Sequence, residues 1–326
     1  MLRKIVPDPF LLILVGTVLL ASFLPARGAF AIAVSWLATA TVVLLFFFHG
    51  AKLAREQILA GITHWRLHLA ILGTTFVLFP LIGIAATKGL AGYLPAPLLT
   101  GILFLTVLPS TVQSAIAFVG IAHGNVGAAV ASASASQMLG VVLTPLLMSL
   151  LAGTHGGAGG LEGMGEVALQ ILVPFVVGHL LRPWLKDWIA RHKAHVNLTD
   201  RSTIIIAVYS AFSAAVLGGI WHQLPPSALA ALFAIDAVLL ALGLAFTWGL
   251  GGLCGFARED RIALLFCGTK KSLVQGVPMA RVLFPGGEAG VIVLPVMIFH
   301  QMQLMACAFI ARGFARGFDA EIRDEA

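Results

Sequence analysis

The sequence predicts an all-α polytopic membrane protein: ten transmembrane helices in two inverted five-helix repeats, with the fourth helix of each repeat broken. Three observations carry this. Hydrophobic residues make up 59% of the chain and charged residues 10%, with a mean hydropathy of +0.99. So few charges cannot cover the surface of a water-soluble protein of 326 residues. Apolar runs of about 20 residues recur along the whole length, and each is long enough to cross a bilayer as a helix. Period-2 alternation is absent, which argues against a membrane β-barrel.

Breaks at proline, glycine and charge clusters delimit the spans. They fall at about 9–25, 29–50, 66–87, 96–121, 125–152, 164–182, 202–220, 227–255, 261–284 and 290–311. The first span follows "MLRK" and has the look of a signal peptide, but the many spans behind it favour an uncleaved helix. The stretch "GTHGGAGGLEGMG" (153–165) separates spans five and six. It divides one integral membrane domain, 1–326, into repeats of about 1–155 and 160–326.

Charge sets the orientation. On one side of the ten-span arrangement lie Arg3, Lys4, Lys52, Arg55, Arg66, Arg182, Lys186, Arg191, Lys193, Arg201, Arg258, Arg261, Arg312, Arg316 and Arg323; on the other, Arg27, Lys88 and Arg281. The positive-inside rule then places both termini in the cytoplasm. The net charge of +6 is an orientation signal that can also meet anionic lipid headgroups, and not a nucleic-acid footprint. Cys254, Cys267 and Cys307 have neither disulfide nor metal spacing.

Two spans depart from plain apolar helices. Span four contains "TVLPSTVQSAIAF" (106–118), with Pro109, Ser110, Thr111, Gln113 and Ser114. Span nine contains "FCGTKKSLVQGVPMA" (266–280), with Lys270, Lys271 and Gln275 between Gly268, Gly276 and Pro278. Proline removes an intrahelical hydrogen bond, and broken helices survive in lipid only where they are buried or line a cavity. An odd number of spans per half inverts the second half. Interrupted helices at matching positions of inverted halves point to a transporter with a midplane site. The sequence predicts unwinding near 109–114 and 268–276, where the two helices cross.

Polar residues in other spans are further candidates. Ser132 and Ser136 of "ASASASQM" in span five share one helix face, suited to coordination or to tight helix packing. Asp236 is the acid deepest in a span and a functional candidate by default; its expected partner is Lys270. His300 and Gln303 of span ten are three apart and able to face the core domain, where a satisfied buried histidine is the plainer reading. His49, His64, His68, Glu56 and Gln57 read as a solvated interfacial cluster.

These stretches resemble the bile acid:sodium symporter superfamily, and more closely its SBF-like branch. The matching pieces are "FFFHGAKLAREQILAGITHWRLHL" (46–69), "LPSTVQSAIAF" (108–118), "GNVGAAVASASASQMLGVVLTPLL" (124–147) and "FCGTKKSLVQGVPMA" (266–280). The resemblance implies a core domain and a panel domain, with spans four and nine unwound at their crossing. In the sodium-coupled branch, span nine carries a glutamate and, four residues on, a glutamine. Aligning that glutamine with Gln275 puts Lys271 at the glutamate, and Thr75 stands at a span-three glutamine. Sodium sites are therefore expected to be degenerate, with the Lys271 ammonium taking a sodium's place and reaching Gln113, Ser132, Ser136 and unwound carbonyls. No metal or other cofactor is expected, and protons are the alternative coupling ion.

The implied function is secondary active transport of a small organic anion or amphipathic solute by alternating access. The expected location is a bacterial inner membrane, as monomer or homodimer among lipids. An intramembrane enzyme, a channel or a regulatory membrane protein are the alternatives. No HExxH, Walker A loop or nucleophile elbow supports an enzyme.

Overall fold

The computed structural model describes residues 9–52, 64–152, 168–219, 225–284 and 288–325. The basic residues Arg3, Lys4 and Arg55, the pair Glu56 and Gln57, and the glycine-rich stretch lie outside the described residues. Every element among the described residues is helical. In order they are α1 (Pro9–Phe23), α2 (Gly28–Lys52), α3 (Trp65–Gly73), a π-helical turn (Thr74–Leu78), α4 (Phe79–Gly89), α5 (Ala96–Val107), α6 (Gln113–Ile121) and α7 (Val126–Leu151). A second π turn (Ala168–Leu172) leads into α8 (Val173–Arg191), followed by α9 (Lys193–Leu217), α10 (Pro226–Leu253), α11 (Arg258–Thr269), α12 (Leu273–Leu283) and α13 (Ala289–Glu325).

Six of the described helical segments are long and apolar enough to cross a membrane unaided: 28–52, 65–89, 126–151, 193–217, 226–253 and 289–317. Large apolar side chains such as Leu19, Phe30, Ile32, Val238 and Leu242 lie exposed along these and neighbouring helices. Such a surface suits hydrocarbon and not water, as expected of an integral membrane protein. Helix ends differ from expectation where amphipathic turns extend a span. The sixth predicted span runs on to Arg191, the seventh starts at Lys193, and the last continues to Glu325.

The chain packs as two compact units, each assembled from separated stretches. One holds Met1–Lys52, Gly156–Pro225 and Val277–Val291; the other holds Leu53–His155, Pro226–Gly276 and Ile292–Ala326. In the first unit α2 and α8 touch backbone to backbone. A Cβ at Gly50 would collide with the Phe175 carbonyl oxygen, and one at Gly178 with the Phe47 carbonyl oxygen. Small residues permit this approach, the usual means of joining helices in lipid. Lys52 Nζ meets Asp200 Oδ2 at 2.8 Å, and Arg281 donates to Ser210 and to Ser35.

The second unit buries a cluster drawn from α3, α6, α7, α11 and α13, including Leu67, Ile71, Val119, Phe266 and Cys307. The two helix breaks, 108–112 and 270–272, belong here, and they position the candidate site.

Candidate functional site

Two chain breaks meet in this unit. The helix α5 stops at Val107, residues 108–112 are non-helical, and α6 starts at Gln113. Likewise α11 stops at Thr269, residues 270–272 are extended or irregular, and α12 starts at Leu273. Both breaks are shorter than the sequence suggested. They touch directly: the Ser272 N–H donates to the Pro109 carbonyl at 2.8 Å. Two helix C-termini and two helix N-termini therefore converge, bringing partial negative and partial positive charge together.

A break inside a membrane protein frees carbonyls, and each must find a donor. In an unbroken helix Ser110 N–H would bond the Thr106 carbonyl; here it donates to Ser136 Oγ at 3.0 Å. The Val107 carbonyl accepts from Thr144 Oγ1 at 2.9 Å. The carbonyls of Thr106 and Leu108 accept from Lys271 Nζ at 2.7 and 3.0 Å.

The third bond of Lys271 Nζ, 3.0 Å, goes to the Thr75 carbonyl. That acceptor is vacant for a local reason. In the π turn the Phe79 N–H bonds Thr74, one residue earlier than an α-helix would have it. The next residue, Pro80, has no N–H to offer. Thr75 is thereby left without a backbone donor. The ammonium has three N–H bonds and all are used on carbonyls; the Phe79 ring lies 4.3 Å from Nζ. Gln303 fixes the Lys271 backbone: Lys271 N–H donates to Oε1, and Nε2 donates to the Lys271 carbonyl and to His300 Nδ1, each at 2.9 Å.

The remaining predicted residues distribute around this centre. Thr75 joins through its carbonyl, while its hydroxyl donates back to Ile71. Ser272 caps α12 by accepting from Gln275 N–H at 3.3 Å, and Gln275 Nε2 donates to the Gln137 carbonyl at 3.2 Å. Thr111 and Ser114 pair through their hydroxyls at 2.9 Å, and Gln113 is exposed. Gly140 of α7 lies against Pro109, where a Cβ would stand 2.6 Å from the ring.

Three expectations need correction. Lys271 reaches backbone carbonyls only, and not the side chains of Gln113, Ser132 or Ser136. Ser132 and Ser136 share a face but serve different partners. Ser132 Oγ sits 2.6 Å from His68 Nδ1, so His68 is buried and not part of a solvated cluster. Lys270 and Asp236 form no ion pair. Asp236 lies near the Phe299 backbone without a well-formed bond to either carboxyl oxygen, whereas Lys270 lies over Phe118, near Cys307. On α13, Phe299, Gln303 and Cys307 are four apart and form one stripe. Eight residues of helix separate the levels of Asp236 and Lys270 by about 12 Å.

Thr106, Leu108, Thr144, Gln137 and Ser272 were not singled out from the sequence. The first two act through backbone atoms, which residue identity does not reveal. Pro80 was the readable signal for the Thr75 carbonyl.

An all-helical membrane protein whose two interrupted helices meet in a buried polar crossing belongs to the class of membrane transporters. The model of the SBF-like CPA transporter family matches residues 8–316, and the chain belongs to that family. It is 50% identical over 317 residues to an uncharacterized protein of Pseudomonas aeruginosa, covering 97% of this chain and 95% of that protein. It is also 50% identical over 309 residues to the Escherichia coli protein YfeH, covering 95% and 93%. Sodium/bile acid cotransporter 7 of Rattus norvegicus is 28% identical over 281 residues, covering 84% and 81%. Membership of a transporter family decides against the intramembrane-enzyme alternative.

Proposed function

We propose that the chain is a secondary transporter moving a small organic anion or amphipathic solute by alternating access. In this reading its crossing is held by the Lys271 ammonium, and the two sodium ions of the symporter branch have no place there. Ten spans in two inverted repeats, both termini cytoplasmic, in a bacterial inner membrane, complete the reading. The observation that carries it is the carbonyl cage of Thr75, Thr106 and Leu108, filled by one ammonium. Carbonyl oxygens so gathered are the donor type that strips a monovalent cation of water. A tethered cation within the cage occupies those acceptors and repels a second positive charge. The name of the rat relative speaks of sodium and bile acid; neither is carried over to this chain.

The test is uptake into proteoliposomes from a panel of carboxylates, sulfonates and neutral amphiphiles, in sodium or choline chloride. Saturable, exchangeable uptake that is the same in both salts is expected. Sodium-dependent uptake overturns the tethered-cation reading. Unsaturable flux points instead to a pore.

A further inference from the structure

The two adjacent lysines have opposite surroundings. Lys271 uses all three donors on carbonyls. Lys270 is as deeply buried, 0% exposed, yet among the described residues its Nζ has no hydrogen-bond acceptor. It faces the ring of Phe118 from α6, 4.2 Å from the centroid. The titratable groups beside it are the thiols of Cys267, near the end of α11, and Cys307 from α13. Both thiols, and the Phe266 ring, belong to the apolar cluster of this unit, against which Phe118 packs. Among the described residues no carboxylate forms an ion pair with Lys270.

An ammonium with neither acceptor nor counter-ion in an apolar cluster carries a large desolvation penalty, which one aromatic face offsets only in part. The same amine without its proton carries far less. The position thus discriminates between two protonation states, and the packed ring and thiols around it suit no solute-sized anion. A proton is the ligand that fits. We propose that Lys270 is a proton-binding site coupling proton movement to the transport cycle, while Lys271 remains a fixed cation of the crossing. This rests on the transporter reading above. The step is a simple association: the Nζ lone pair takes one proton to give the ammonium and later returns it, with no other bond made or broken.

The probe is the proton itself. Full-length protein in phosphatidylcholine vesicles, with no solute added, is given a rapid pH jump on a solid-supported membrane, and displaced charge is recorded. The wild type is expected to give a transient, and Lys270→Met and Lys270→Leu to reduce it at least tenfold. Asp236→Asn, which neutralises a buried carboxyl of the same unit, is expected to keep more than half. A wild-type transient in the two Lys270 variants overturns the proposal. Failure of both variants to fold also overturns it, because the amine is then a structural need of the cluster. The two readings fail separately. Saturable uptake with the same pH dependence in wild type and Lys270→Met overturns the proton site and leaves the transporter standing. A wild-type transient without saturable uptake of any solute overturns the transporter, and with it the coupling role.

Discussion

Lys271 and Gln303 grip one another through a two-way exchange of hydrogen bonds: the amide of Lys271 donates to Oε1, and Nε2 donates back to the Lys271 carbonyl, both at 2.9 Å. The Gln303 side chain behaves here like a neighbouring strand. It satisfies both backbone groups of a residue that has left helical geometry.

Gln303→Met keeps the side-chain volume and removes both bonds. Two buried backbone groups are then stranded, at about 1–3 kcal/mol each, so a loss of roughly 2–6 kcal/mol is expected. Unfolding free energies from steric trapping in lipid check this. A loss below about 1 kcal/mol would show that the break does not depend on the glutamine.

Lys271→Ala empties the cage of Thr75, Thr106 and Leu108. In choline chloride the variant is expected to melt well below wild type, and at equal ionic strength sodium is expected to restore part of the loss. Wild type should melt alike in both salts. A folded variant indifferent to sodium would show that the cage has no affinity for a small cation.

Ser136→Ala strands the Ser110 N–H at the bend, with an expected cost of about 1–3 kcal/mol. Ser134, two residues away on another face, is a control: its alanine variant is expected to stay within about 0.5 kcal/mol of wild type. Equal effects would remove any special role for Ser136.

Gly140→Ala pushes a methyl into the Pro109 ring, for an expected cost of about 1–3 kcal/mol. Gly249→Ala, with open space around its Cβ, lies in α10 and is expected to be neutral or stabilising by up to about 1 kcal/mol. Thermal melting of the two variants side by side reads the difference.

The interruptions themselves were legible in the sequence. Pro109 and the polar run after it, and the lysines between Gly268 and Gly276, mark positions where an apolar helix cannot continue. The lysine pair could be singled out for the same reason, since an uncompensated cation does not persist in a membrane, and the family resemblance chose Lys271 from the two. Its partners were not legible, because they are carbonyls, and every residue has one. Expectation therefore fell on the side chains of Gln113, Ser132 and Ser136. The Lys270–Asp236 pairing failed through register: the stripe on α13 puts the two at separate levels. His68 looked interfacial because it follows Trp65 and Arg66 at a helix start, yet the fourth residue of α3 already faces α7. Residues 74–78 carry no sequence mark of a π turn apart from Pro80 just beyond.

The three carbonyls that Lys271 satisfies precede it by 163, 165 and 196 residues. During synthesis from the N-terminus at about 5–20 residues per second, the first half waits roughly 10–40 s for its donor. Throughout that interval Thr75, Thr106 and Leu108 sit in an inserted but unfinished chain, with the bend already encoded by Pro80 and Pro109. In that interval the three carbonyls lack the ammonium that satisfies them in the finished chain. The crossing is therefore a late event of biogenesis, closed by the second half of the chain. A ribosome stalled before codon 271 would leave the first half as a substrate for membrane quality control.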